Sequence, residues 1–158
     1  MSGFVHLHTH SHFSIMDGVP SPSQLLERAA HFEMDTLALT DHQGLYGALR
    51  FYKAALKAGI KPIVGCEVCV EAAGAEADLA DTPPEERLSV PVPVGSARAR
   101  GEGFHLTLLA RDMEGYRDLC RLLSRAHVRS GDDPSTITLH DLERHSTQLV
   151  GLSGCGNG

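Results

Sequence analysis

The sequence predicts an α/β fold, and three observations lead there. Apolar runs at residues 36–40, 62–70, 104–110 and 148–153 have the length of buried strands. Between most of them lie segments whose apolar residues recur at helical spacing, framed by helix-start and helix-stop residues. Repeated strand–helix–strand order implies parallel pairing with right-handed crossovers, in a doubly wound sheet or a barrel. At 158 residues the chain is expected to form one domain with its own core.

The first expected strand is FVHLH, inside FVHLHTHSHFS at residues 4–14, where His6, His8, His10 and His12 occupy every second position. Alternate side chains of a strand share a face, so four imidazoles would line one side. Two readings stand open for them: a metal pocket, because neutral imidazole is the commonest protein metal ligand, or a surface strand that carries histidine. SPSQLLERAAHF follows as a helix, with Ser21 as N-cap, Pro22 at the first helical position and Gln24 completing a capping box. Its buried stripe is expected at Leu25, Leu26, Ala29 and Ala30.

TLALT forms the second strand, and GLYGALRFYKAALKAG the second helix. Leu45, Leu49, Tyr52 and Leu56 are expected on its buried face, with Gly59 placed to end it. Residues 62–70 and FHLTLLA make the third and fourth strands. YRDLCRLLSRAHV is a helix with an apolar seam at Tyr116, Leu119, Cys120 and Leu123. ITLHDLERH reads as a short helix and QLVGLS as a fifth strand. Residues 71–102, rich in Ala, Pro, Gly and charge and without periodicity, are expected to be a mobile surface insertion.

Hydrophobic residues at 42% and charged residues at 22% are ordinary for a globular protein. No apolar stretch approaches the ~20 residues a membrane span requires, and the N-terminus lacks a charged segment followed by an apolar run. The expectation is a cytoplasmic chain without a membrane partner. A net charge of −6 gives no general attraction for nucleic acid, although bound divalent cations would reverse the field locally. Cys66, Cys69, Cys120 and Cys155 are too sparse for a disulfide scaffold and are expected reduced. The C-x-x-C of Cys66 and Cys69 falls within the strand PIVGCEVCV and reads as core. Arg117, Arg121 and Arg125 share a helical face, better explained as a solvated surface than as a phosphate track.

Residues that bind metals fall at strand ends. His8 and His10 end the first strand, with Asp17 in the loop leaving it; Asp41 and His42 follow the second; Glu67 is near the end of the third; Cys155 follows the fifth. In a parallel α/β fold those ends open on one side, where active sites are built. His105 fits less comfortably, because it stands near the start of its strand. Imidazole, carboxylate and thiolate together suit zinc, and mixed nitrogen and oxygen ligands also admit manganese or iron. Clustered metals suggest phosphate-ester hydrolysis.

Four blocks, HLHTHSHFSIMDG, LALTDHQGLYGALRFYKAALKAGIKPIVGCEV, HLTLLARDMEGYRDLCRLLS and LVGLSGCGNG, resemble in that order the N-terminal PHP (polymerase and histidinol phosphatase) domain of bacterial C-family DNA polymerases, the polymerase III alpha subunits. The resemblance covers the chain except the 71–102 insertion. It implies a PHP-type distorted (β/α)7 barrel, of which residues 1–158 hold the first five or so strands, with the last Asp-x-His ligands and the polymerase domains beyond Gly158. It implies up to three divalent metals in the complete domain, zinc first, with manganese, magnesium or iron also admitted. The metal and catalytic residues carried over are His8, His10, Asp17, His42, Glu67, His105 and Cys155; His6 would support the pocket and His12 lie at its edge or surface. The implied parent is a DNA-directed DNA polymerase whose PHP site is a metal-dependent 3′-to-5′ exonuclease, the fragment alone being inactive. Its partners would be a DNA primer terminus, a sliding clamp and a proofreading subunit. Two other readings remain: a silent PHP scaffold that stabilises the polymerase and docks the proofreading subunit, and a free-standing phosphatase of the histidinol-phosphatase type.

Overall fold

The computed structural model describes residues 4–71, 103–130 and 135–153. Among these, the element order is α1 (Pro22–His31), β1 (Thr36–Leu39), α2 (Ala48–Lys57), β2 (Lys61–Glu71), β3 (Gly103–Ala110), α3 (Met113–Ser130), α4 (Leu139–His145) and β4 (Leu149–Ser153). The strands form one mixed sheet in the order β1-β2-β3-β4. The expected insertion, beyond Glu71, lies outside the described residues, as does Cys155.

Local signals set the helix ends. The Ser21 side chain accepts from the Gln24 backbone and the Gln24 side chain accepts from Ser21 N, so the capping box closes at the start of α1. Gly59, at φ +70°, ends the turn after α2 in a backbone region that side-chain-bearing residues disfavour. The Thr138 side chain caps α4 by accepting from Asp141 N.

Pairing departs from the all-parallel expectation. β1 and β2 are parallel across α2, but β2 pairs antiparallel with β3, and β3 antiparallel with β4. An antiparallel pair does not need the crossover connection that a parallel pair does. Between β3 and β4 the chain runs through α3, touches the end of β2 at the Val70–Ile137 bridge, and only then enters α4. That additional reversal brings β4 in antiparallel.

The first expected strand is a single bridge, His6 to Leu37. Ala38 N donates to His6 O and Thr40 N to Thr9 O, so residues 6–9 follow β1 with one residue in excess. An extra residue of this kind breaks strand alternation.

The core has two parts joined by β2. Leu26, Ala29, Leu37, Leu39, Phe51 and Ala55 pack α1 and α2 over β1. Cys66, Val68, Val70, Leu108, Leu119, Leu122 and Ala126 pack α3 on β2 and β3. The expected buried face of α2 is corrected: Leu49, Tyr52 and Leu56 are exposed, while Ala48, Phe51 and Ala55 are buried. On α1, Leu26 and Ala29 are buried and Leu25 partly so, whereas Ala30 is exposed; on α3 the seam shifts toward Leu119, Leu122, Leu123 and Ala126. Cys66 and Cys69 are both buried, and burial pushes the Cys66 thiol up to about 12, which keeps it protonated.

Candidate metal centre

Glu67 is the centre of the site. Its side chain is 2% exposed, on the half of β2 that pairs with β3, and four ring nitrogens face its two oxygens. His8 Nε2 and His10 Nε2 approach Oε2, the latter at 3.3 Å. His105 Nδ1 and His42 Nδ1 lie 2.7 and 3.3 Å from Oε1.

Different elements deliver each ring. His8 and His10 come from the irregular run beside β1, their Nε2 atoms 2.9 Å apart. His42 follows β1, where Glu67 N donates to Asp41 O and Gln43 N donates to Glu67 O, extending the β1–β2 pairing to the site. His105 arrives from the start of β3. Antiparallel pairing sets that start against the end of β2, His105 opposite Cys69 and Thr107 opposite Glu67, so its position early in its strand is what carries it to the rim.

Asp17 joins from the loop before α1. Its Oδ2 lies 2.8 Å from both His10 Nδ1 and His42 Nε2, and hydrogen bonds from His42 and then His10 hold its carboxyl below the usual 3.8. Two overlapping triads result: His8, His10 and Glu67, and His10, Asp17 and His42. A neutral imidazole has one ring lone pair to give, so His10 can ligate through one nitrogen while donating a hydrogen bond from the other.

The donor set fits a divalent cation. Glu67 Oε2 is buried and makes no hydrogen bond among the described residues, although two ring nitrogens stand against it. An ionised carboxylate removed from water needs a compensating charge, and a cation between this oxygen and the ring lone pairs would supply one. Six of the seven residues expected from the sequence, His8, His10, Asp17, His42, Glu67 and His105, meet here, and Cys155 lies outside the described residues. The outer histidines separate from them: His6 packs edge-on to Phe4 and His12 leans on Phe13.

Asp41 has a different task from its neighbour His42. Fully buried, it accepts from Ser11 N, Ser11 Oγ and Ser14 Oγ at 2.6–2.8 Å, and Ser14 Oγ in turn accepts from His42 N. It fastens the loop that carries His10 and Asp17 to the strand that carries His42. Two serines three apart beside a histidine run were the sequence signal for this anchor, but nothing local linked them to a residue about 30 positions away.

This α/β frame and its histidine–carboxylate cluster define a class, and the chain belongs to it: the PHP domain family matches residues 6–158. Within that class it is homologous to DNA polymerase III alpha subunits. It is 39% identical over 159 aligned positions to the subunit of Thermus aquaticus and 37% identical to that of Borreliella burgdorferi. The error-prone DNA polymerase of Mycolicibacterium paratuberculosis is 35% identical. These alignments cover 96–99% of this chain but only 11–12% of the relatives, so the chain spans about a tenth of their length. Among solved structures, a Bifidobacterium adolescentis protein assigned as a metal-dependent phosphoesterase matches at TM-score 0.50 and 16% identity, over 80% of this chain and 34% of that one. An amidohydrolase from Chromobacterium violaceum with bound sulfate matches at 0.50 and 22%, over 89% and 48%. At such identities the likeness concerns the fold.

Proposed function

We propose that residues 1–158 are the N-terminal part of the PHP domain of a C-family DNA polymerase, a nucleotidyltransferase, and that the rim around Glu67 belongs to a metal-dependent 3′-to-5′ exonuclease. The observation that carries this reading is the buried Glu67 carboxylate faced by four imidazoles, with the Asp17 carboxylate beside two of them. Relatives that align with 96–99% of the chain are polymerases, which favours this parent over a free-standing phosphatase.

His8, His10, His42, His105 and Glu67 would hold divalent cations, with Asp17 and Cys155 completing the set. Imidazole and thiolate donors favour zinc; the carboxylates also admit manganese, magnesium or iron. Bound there, such cations supply charge neutralisation on phosphoryl oxygens and a lowered pKa for an attacking water. The chain's own contribution is placement: Asp17 accepts from His10 and His42 and so fixes both ring orientations, and Asp41 fastens the loop beneath them. The partner at this site would be a DNA primer terminus, with a sliding clamp and a proofreading subunit as partners of the whole replicase.

The test uses the intact protein, its metal content, and digestion of a primer with a mispaired 3′ end. Bound divalent metal and removal of the mispaired nucleotide are expected. Glu67→Gln should lower metal affinity by at least ~100-fold, more than losing a hydrogen-bond partner of a ligand costs. Protein that binds no metal and shows no metal-dependent cleavage, or a Glu67→Gln variant that keeps both, overturns the proposal.

A further inference from the structure

The loop that carries Asp17 also carries the most exposed apolar side chains at the site. Ile15 is 84% exposed, Met16 102% and Val19 88%. Mobility does not account for this, because the loop is braced at its base. Asp17 N and Gly18 N both donate to Ser14 O, Ser14 is buried against Asp41, and His12 N donates to Pro20 O. Gly18 is packed so closely that a Cβ there would fall 1.8 Å from Ser11 O. Met16 adopts φ +70°, a costly conformation for a residue with a side chain, and is held there fully in solvent. Val19 and Pro20 line, with His8, His10, Asp17 and Gly18, a cleft of about 380 Å3. Its size lies within the range of small-molecule sites. The lining therefore combines aliphatic side chains with candidate ligands.

A phosphodiester bound by its charged oxygens at His8, His10 and Asp17 has its substituents within the cleft that Val19 and Pro20 also line. Among those substituents the nucleobase is the flat, weakly hydrated part that gains by covering aliphatic surface. We infer that the Ile15–Val19 loop is a nucleobase platform: Val19 takes the face of the base next to the cleaved phosphate, and the Ile15–Met16 crest extends that surface. The inference rests on the phosphodiesterase reading above. It adds that the site prefers nucleoside esters to other phosphodiesters through apolar contact, without base-specific hydrogen bonds.

The experiment compares two diesters with the same leaving group, thymidine 5′-(p-nitrophenyl phosphate) and methyl p-nitrophenyl phosphate, on the intact metal-loaded protein. The nucleoside ester should show the lower KM. Val19→Ser should raise that KM roughly tenfold, about what one aliphatic contact is worth, and the triple change Ile15→Ser, Met16→Ser, Val19→Ser should raise it further, with kcat, the methyl ester and metal content unchanged. Met16→Gly, which relieves the positive φ, should move the same KM in the same direction. Equal KM values for the two esters, or variants that leave the difference intact, overturn the platform while the phosphodiesterase reading stands. A lowered melting temperature of the intact variant with unchanged KM also overturns it, since another part of the protein would then cover these side chains. Hydrolysis of neither ester removes both readings.

Discussion

Glu67 and Asp41 are two buried carboxylates with opposite accommodations. Asp41 is satisfied from within by three donors on Ser11 and Ser14, and it accordingly shapes the loop. Asp41→Ala strands those donors in a dry site, so a loss of about 3 kcal/mol is expected in a urea melt, with the largest hydrogen-exchange change in residues 11–18. Among the described residues Glu67 finds no such hydrogen-bond donor at Oε2, which is what makes it a ligand candidate. A third carboxylate, Asp141, shows the balance in another form. Burial alone would raise its pKa, but hydrogen bonds from Arg129 and Thr138 outweigh it and hold the group below 3.8. The folded value being the lower one, its stabilisation is present above about 3.8 and disappears as pH falls through the lowered value. Arg129→Met should move the Asp141 titration upward in carbon-detected NMR and begin the acid-induced loss of stability at higher pH.

Among the elements, α2 shows why an apolar stripe is not yet a buried face. Two candidate stripes run along it, one through Leu49, Tyr52 and Leu56 and one through Ala48, Phe51 and Ala55, and only the second meets the sheet. The smaller residues let the helix lie against β2, and Phe51 fills the remaining volume at 0% exposure. Phe51→Ala should therefore cost about 3–4 kcal/mol, and Leu56→Ala no more than about 0.5 kcal/mol, in parallel denaturant melts. The arginines of α3 divide in a comparable way. Arg117 and Arg121 pair with Glu114 and Asp118 on the helix surface, as a solvated face would, while Arg125 and Arg129 reach Asp141 and fasten α4.

For the molecule as a whole, the donors at the rim come from both core halves. His8, His10 and His42 belong with β1, whereas Glu67 and His105 come from the β2–β3 pair. A cation held there would tie the halves together and bind the folded chain alone. Chelation should then lower the melting temperature of the metal-loaded protein, since a ligand at a hundred times its Kd contributes about 2.7 kcal/mol. Calorimetry with and without chelator measures this, and an unchanged transition would show that no cation bridges the halves.

Much of this was legible along the chain, because it depends on near neighbours. The capping box at Ser21, the stop at Gly59, the positions of four of the five expected strands and the kinds of donor follow from the preferences of a few adjacent residues. The family blocks likewise named the residues that meet at the rim. Which strands run antiparallel, which stripe of α2 is buried, how His105 reaches Glu67, and that Asp41 anchors a loop while His42 faces the site depended on pairing across distant positions. Those outcomes are fixed by what each side chain packs against, and in a single sequence two mutually compatible surfaces leave no mark until the chain has brought them together.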